Sequence, residues 1–555
     1  MSNLEKEMYT KLNIYNGKTN KIIHSKTSDL ALEDKYVFFR GFDVVDFSKG
    51  INWNYKHKHT VATYQVYLHC LHTVKDLTNS FLITKDERYV MKAKDIILDW
   101  ANSDKNQTFY PQNSSWKDHS AASRMKNIIY FQQNTDKNHQ LDNEYFDDLL
   151  MKHCEFLSKR EFYSENNHGM MSDEGLLFLS CYLKDDSLSN IYSQTAILRM
   201  ERIILKLFSS SSYNLENSPE YHRLTQNLST RFIRLVDLLN FHFDNRCRDI
   251  ITKSYERNKV ILKPDNTYPL IGDTGLFKAK ISKSFDNFID YQAGVVYLNS
   301  ENKDKQELSS YFTFKAGYQL KSHKHRDDLS LTYVHKGDDI FIDSGKYTYD
   351  RKNPKKPYIV SPAAHSTIYK INETYTLNDG VSDSDNIKLK FVYENDEYTH
   401  IASINHLYDS IKIYRDIIYF ENKGLIIVDR CLSDEKQFMG QNFNLAPNVE
   451  IEKISGKEYH LKTSNDKVLI MKEHSPRTLS KYFNHSNSSR GFYSEKFNQL
   501  LETHQIEYRQ NSMTCRFVTS IMEKKYDEEL ESQLKDNKLI VKLGSTDFDI
   551  NLQSL

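Results

Sequence analysis

The densest chemistry in the chain lies in Ser322-His323-Lys324-His325-Arg326-Asp327-Asp328-Leu329-Ser330, followed by an apolar run that ends in Asp343-Ser344-Gly345. Extended backbone would point His323 and His325 to one face, because side chains at i and i+2 share a side of a strand. Paired imidazoles with carboxylates nearby hold a metal, move a proton, or do both. Asp343 and His365 lie downstream and complete a zinc-type donor set of two histidines and one aspartate. A hairpin at Gly337-Asp338 would pair Asp343 with Thr332, so the ligands meet only if a bulge or bend intervenes. The plain alternative is a solvated strand end.

Three further clusters carry chemistry beside a plainer alternative. In Glu165-Asn166-Asn167-His168-Gly169-Met170-Met171, Asn167 offers an amide donor and His168 a proton acceptor. They stand just before an apolar helix start at Gly175-Leu176-Leu177-Phe178, where an asparagine-capped loop would serve as well. Leu215-Glu216-Asn217-Ser218-Pro219-Glu220-Tyr221-His222 opens a helix with proline near its first turn, which carries Tyr221 and His222. Ordinary capping plus a packed tyrosine is the alternative. Ser115-Trp116-Lys117 with Arg124 supplies a ring to stack on a sugar and a guanidinium for a carboxylate, or a buried tryptophan and a surface arginine.

The elements that must position these residues change character along the chain. Thr84-Lys85-Asp86-Glu87 reads as a capping box before Tyr89, Val90, Ala93, Ile96, Ile97 and Trp100 at helical spacing. Ile191 to Phe208 repeats the pattern with Ile197, Leu198, Ile204, Leu205 and Phe208, and Leu224 to Phe243 repeats it with Leu228, Phe232, Leu235, Val236 and Leu239. Helices in series predict a bundle, solenoid or toroid. Turn formers cluster at Pro264-Asp265-Asn266-Thr267-Tyr268-Pro269 and Gly272-Asp273-Thr274-Gly275. Beyond them period two dominates, and Glu421-Asn422-Lys423-Gly424 predicts a hairpin between Ile417–Phe420 and Leu425–Val428. The reading is a helical domain over 1–275 and an antiparallel β-sandwich domain over 276–555.

The 555 residues, 39% hydrophobic and 27% charged, suffice for several folded cores. Lys plus Arg and Asp plus Glu both number 75, which argues against a global nucleic-acid footprint and leaves room for a local basic groove. The 37 tyrosines fill cores and also suit sugar clefts. Six scattered cysteines without a CxxC pair read as reduced thiols. Met1-Ser2-Asn3-Leu4-Glu5-Lys6-Glu7 has no apolar leader core, and no run reaches the ~20 apolar residues of a membrane span. The expectation is a cytoplasmic protein that binds no nucleic acid and spans no membrane. The sequence leaves a homo-oligomer open.

Taken in order, these segments resemble the heparinase II/III-like polysaccharide lyases, the group of heparinase II, heparinase III and the oligoalginate lyases. The resemblance runs through Asn167-His168-Gly169, Ser218-Pro219-Glu220-Tyr221-His222, His323 to Ser330, Asp343-Ser344-Gly345 and His365-Ser366-Thr367, and so covers most of the chain. It implies an incomplete (α/α) toroid followed by an antiparallel β-sandwich. It implies that Tyr221 is the catalytic tyrosine, that Asn167 and His168 serve the uronate carboxylate and proton transfer, and that His323 is the active-site histidine of the β domain. It also implies that His325, Asp343 and His365 ligate a mainly structural zinc. Lys324, Arg326 and Thr367 fall at positions that vary in the family and bear on substrate choice. Arg124, Trp116, Glu216 and His222 are the expected substrate-binding residues.

The reaction so implied is β-elimination on a uronic-acid-containing polysaccharide or oligosaccharide, leaving unsaturated uronate ends. A cytoplasmic form would suit oligosaccharide breakdown or trimming of the cell's own acidic capsule. Tyr221 is the acid and a candidate base, with His168 the alternative base and His168 or His222 able to lower the tyrosine's pKa. The rival readings are a non-catalytic acidic-polysaccharide-binding protein and a zinc-dependent glycan hydrolase.

Overall fold

The computed structural model describes residues 22–38, 43–58, 61–103, 114–350 and 352–554. The segment Met1–Glu7, read above for a leader, lies outside the described residues. The chain divides into two compact units: Met1–Lys206 with Thr225–Asp249, and Leu207–Leu224 with Ile250–Leu555. The helical series ends at Ile261 and the first strand of the β-rich part begins at Phe288, on either side of residue 275. The segment carrying Tyr221, expected in the helical domain, groups with the second unit.

The first unit is built from helices whose buried faces follow the 3.6-residue period. In Glu87–Asn102 the buried residues are Tyr89, Val90, Ala93, Ile96, Ile97 and Trp100, the predicted stripe. The cap differs from the expected box. Asp86 caps this helix by accepting from the Arg88 N–H, whereas Thr84 ends the preceding helix His72–Thr84. Lys85 turns the corner in a left-handed conformation at φ 63°. In Asp186–Leu207, Ile197 and Ile204 are buried, but Leu198 and Leu205 are 59% and 45% exposed. The inward face is completed by Ala196, Met200 and Ile203 instead.

The second unit is an antiparallel β-sandwich. A five-stranded meander runs Phe288–Asp290, Val295–Ser300, Ser310–Lys315, Ser330–His335 and Asp338–Phe341. It packs on a ten-stranded sheet through a core in which Val296, Phe312, Leu331 and Phe341 meet Ile401, Ile417, Ile427 and Phe443. A three-stranded sheet over Leu530–Asn551 covers the other face of the large sheet at Ile418, Ile426 and Val518. Strands buried on both faces therefore read as continuous apolar runs. The predicted hairpin is present, with Ile417 opposite Ile427 and Phe420 opposite Gly424. The second predicted hairpin turns at Lys336-Gly337, pairing His335 with Asp338, and a register shift follows between Tyr333 and Val334. That shift alone does not bring Asp343 to His325, which lies ahead of the strand that begins at Ser330.

Candidate active site

Tyr221 stands in the first turn of the helix Pro219–Leu238. Asn217, just ahead of the helix, ties the histidine loop to it. Its amide donates to the carbonyls of Leu320 at 2.6 Å and Ser322 at 3.0 Å, and its oxygen accepts from Lys315 Nζ at 3.1 Å. Asn217 and His323 are both left-handed, at φ 61° and 56°. Gly272 lies against both: a Cβ there would sit 2.4 Å from the Asn217 carbonyl oxygen and 3.0 Å from that of His323. The close approach requires glycine. The imidazole of His323 thereby stacks on the Tyr221 ring, with centroids 3.3 Å apart and planes inclined by 17°.

Asp273 organises this pair. Its Oδ2 accepts from His323 Nδ1 at 2.9 Å and its Oδ1 from His325 Nε2 at 3.3 Å. Burial alone would raise this carboxyl, but the bonds from the two histidines override it and hold it well below the usual carboxylate range. The Tyr221 hydroxyl lies 3.0 Å from the Tyr349 hydroxyl. Burial pushes the Tyr221 phenol up to about 12; the bond to Tyr349 opposes this, and the charges of Asp273, Glu220 and Glu216 reinforce it. Tyr221 is thus a protonated phenol, a proton donor, at neutral pH.

The histidine block is not a strand. Residues 322–329 form turns and loop, and the strand starts at Ser330. His323 and His325 converge because one carboxylate collects both rings, not because i and i+2 share a strand face. The residues between and after them are structural. Lys324 is buried on Asp327 and, at 2.8 Å, on Asp328. Arg326 donates to the Tyr375 carbonyl at 2.8 Å and Thr367 to the Asp328 carbonyl at 2.6 Å. Lys324 and Thr367 are thus occupied within the fold, and Arg326 is half-buried. His222 is also corrected: its Nδ1 accepts from the Asn214 N–H at 3.0 Å, its Nε2 donates to the Ser254 carbonyl at 2.9 Å, and burial lowers it to about 4. With both ring nitrogens spent on backbone, it does not activate Tyr221. Glu216 is 1% exposed, so it is core rather than substrate contact.

His325, Asp343 and His365 are all buried. His365 Nδ1 bonds Asp343 Oδ1, and the rings of His325 and His365 lie 5.5 Å apart. Asp343 Oδ2 and His365 Nε2 are buried without a hydrogen-bond partner, a costly state for polar atoms and one that a cation would relieve. The donor types are those of a zinc site, although the ligand atoms of all three are not gathered within 4.8 Å of one another. His325 spends Nε2 on Asp273 and Nδ1 on Ser344 Oγ at 3.3 Å, so its contribution is the least prepared of the three. Among the described residues, the potential ligand atoms gathered within 4.8 Å are those of Asp118, His119 and His168.

In the first unit, the helix Asn167–Ser180 begins earlier than expected, capped by Asn166, whose side chain accepts from the His168 N–H. Asn167 is its first residue and His168 its second. A Cβ on Gly169 would meet the Ser164 carbonyl oxygen at 2.0 Å, which explains the glycine. His168 Nδ1 lies 3.1 Å from Asp118 Oδ2. Trp116 and Arg124 are 2% and 0% exposed. The guanidinium stacks 3.7 Å from the Trp100 ring centroid and 4.9 Å from that of Trp116, and donates to His153 Nε2, the His69 carbonyl and the Ser115 carbonyl. The pair expected to hold a sugar and its carboxylate is a buried cation–π cluster. Sequence reading passed over Asp273, Tyr349, Asp118 and His119. The available signals were an acid between two glycines for Asp273 and an Asp-His step directly after Lys117 for Asp118 and His119.

The heparinase II/III N-terminus family model matches residues 4–295, and the heparinase II/III-like C-terminal model matches residues 293–531. A heparin-sulfate lyase of Bacteroides thetaiotaomicron is 18% identical over 490 residues, covering 76% of this chain and 67% of that protein. A crystal structure of heparinase III superposes with a TM-score of 0.77 at 16% identity, covering 99% of this chain and 95% of that one. A heparan sulfate lyase from Pedobacter heparinus gives 0.73 at 16% identity, covering 99% and 93%.

Proposed function

Because the chain belongs to the heparinase II/III family of polysaccharide lyases, we propose that it cleaves a uronate-containing glycosaminoglycan by β-elimination. The names of its relatives point to heparan-type chains. The single observation that carries the reading is the Tyr221 phenol, held protonated and stacked on His323, with Asp273 fixing the imidazole.

The chemistry follows from the substrate. The C5 proton of a uronate is weakly acidic, and its removal puts charge on the adjoining carboxylate. Donors fixed in advance must take up that charge; Asn167 and His323 are assigned to this. A base takes the proton and an acid protonates the departing O4. Burial makes Tyr221 suited to the acid step, which leaves the base to His168. Zinc, held by His325, Asp343 and His365, would supply cross-linking of the loop that carries His323 to the segments of Asp343 and His365. The chain's own side chains do the proton transfers.

The test is incubation with a panel of defined uronate polymers while the ultraviolet absorbance of unsaturated ends is followed. Tyr221→Phe should lower turnover by about 10²–10⁴-fold with the fold intact. Full activity in that variant overturns the assignment. Saturated ends that disappear on chelation would mark a zinc hydrolase, and binding without new ends would mark a binding protein.

A further inference from the structure

The Asp118 carboxylate collects two imidazoles at the start of the helix Asp118–Asn134. Its Oδ1 accepts from His119 Nδ1 at 2.6 Å and from the His119 backbone N–H at 2.7 Å. Its Oδ2 lies 3.1 Å from His168 Nδ1. The two rings meet edge to face, centroids 4.8 Å apart at 85°. Burial would raise the carboxyl, yet the hydrogen bonds from His119 and His168 hold it far below the usual range, so it is ionised. An ionised carboxylate only accepts, so both Nδ1 atoms carry the proton.

We infer that Asp118 is a positioning residue for His168, holding the imidazole in the Nδ1–H tautomer so that Nε2 carries the basic lone pair. This rests on the proposed role of His168 as base. A carboxylate on one ring nitrogen decides which tautomer the other presents, and a wrong tautomer removes the base without moving it. His119 restrains the second carboxylate oxygen and abuts the His168 ring, so neither partner is free to rotate alone. The same three side chains have the donor types of a metal site. The fold argues against that use. The carboxylate and both imidazoles stand in the first turns of two helices, Asp118–Asn134 and Asn167–Ser180, whose positive ends favour an anion and oppose a cation.

The experiment compares the full chain with Asp118→Asn and Asp118→Glu. Imidazole ¹⁵N spectra, with the His168 signals assigned by their loss in His168→Gln, should show the Nδ1–H tautomer in the unaltered protein. Asp118→Asn can donate as well as accept, and should shift His168 toward the other tautomer. In parallel its kcat should fall at least about tenfold with KM held within about twofold, and Asp118→Glu should recover part of the loss. An unchanged tautomer in Asp118→Asn overturns the inference, whatever the activity does. So does stoichiometric zinc uptake by the unaltered protein that His119→Ala abolishes. If the unaltered protein shows no lyase turnover, the functional reading fails, and the spectra still decide the role of Asp118.

Discussion

The Tyr349 hydroxyl sits 3.0 Å from the Tyr221 hydroxyl, across 128 residues of sequence. If Tyr221 is the proposed acid, Tyr349 is in place to steady the proton it delivers. Tyr349→Phe removes one hydrogen bond and no ring, a loss of about 1–2 kcal/mol. Turnover should drop roughly five- to thirtyfold, well short of the loss in Tyr221→Phe, with an unchanged melting temperature. Equal losses in the two variants would mean that both hydroxyls transfer protons.

The pH profile follows from the direction of the Tyr221 shift. Burial disfavours phenolate, so the phenol stays protonated past the ordinary tyrosine value of ~10 and up to about 12. Rate against pH should therefore show no downward limb from Tyr221 near ~10. The matching stability contribution is present in full below ~10 and is lost as pH rises toward about 12, because the unfolded chain releases this proton first. A phenolate absorbance titration of the protein and of Tyr221→Phe checks the value directly. A limb between about pH 8 and 10 that vanishes in Tyr221→Phe would make the tyrosine a base instead.

How much of this was legible before folding depends on distance along the chain. The stripe Tyr89 to Trp100 and the 421–424 hairpin are local, set by period and turn chemistry, and they appear as read. The cap lies at Asp86, two residues past Thr84, because Thr84 still belongs to the preceding helix and only a left-handed Lys85 and the cap itself separate the two. Tyr221 and His323 were legible through motif order. Asp273 and Tyr349 were not, because long-range contacts bring them there: Gly272 fits Asp273's loop against Asn217 and His323, and the Gly345 and Lys346 N–H groups tie the segment before Tyr349 to the Leu270 and Thr274 carbonyls. Lys324 and Arg124 were misjudged for one reason. Cations are normally solvent-facing, and nothing in their neighbours' spacing reveals a buried carboxylate pair or two tryptophan faces.

Metal removal separates structure from chemistry. Asp343 Oδ2 and His365 Nε2 are the atoms that zinc would satisfy. Elemental analysis of the purified protein should find zinc, reduced in Asp343→Asn and in His365→Ala. Chelation should lower stability by about 2–3 kcal/mol, or roughly 3–5 °C in melting temperature for a unit of this size, with turnover falling only as unfolding sets in. Turnover lost at an unchanged melting temperature would place the metal in the reaction.

Arg124 gives the sharpest test of burial against contact. Its guanidinium has no exposed surface, lies between two tryptophan rings, and supports His153 and the carbonyls of His69 and Ser115. Burial lowers it to about 9, so its charge is held there at a cost that these partners offset. Arg124→Met keeps much of the volume and leaves an imidazole and two carbonyls without their donor. The expected loss is about 3–5 kcal/mol in denaturant unfolding of the protein, because buried groups are orphaned together. The folded fraction should bind uronate polymer with a KM within about twofold of the unaltered chain, since the guanidinium is sealed from solvent. A KM raised more than about tenfold at unchanged stability would return Arg124 to the substrate.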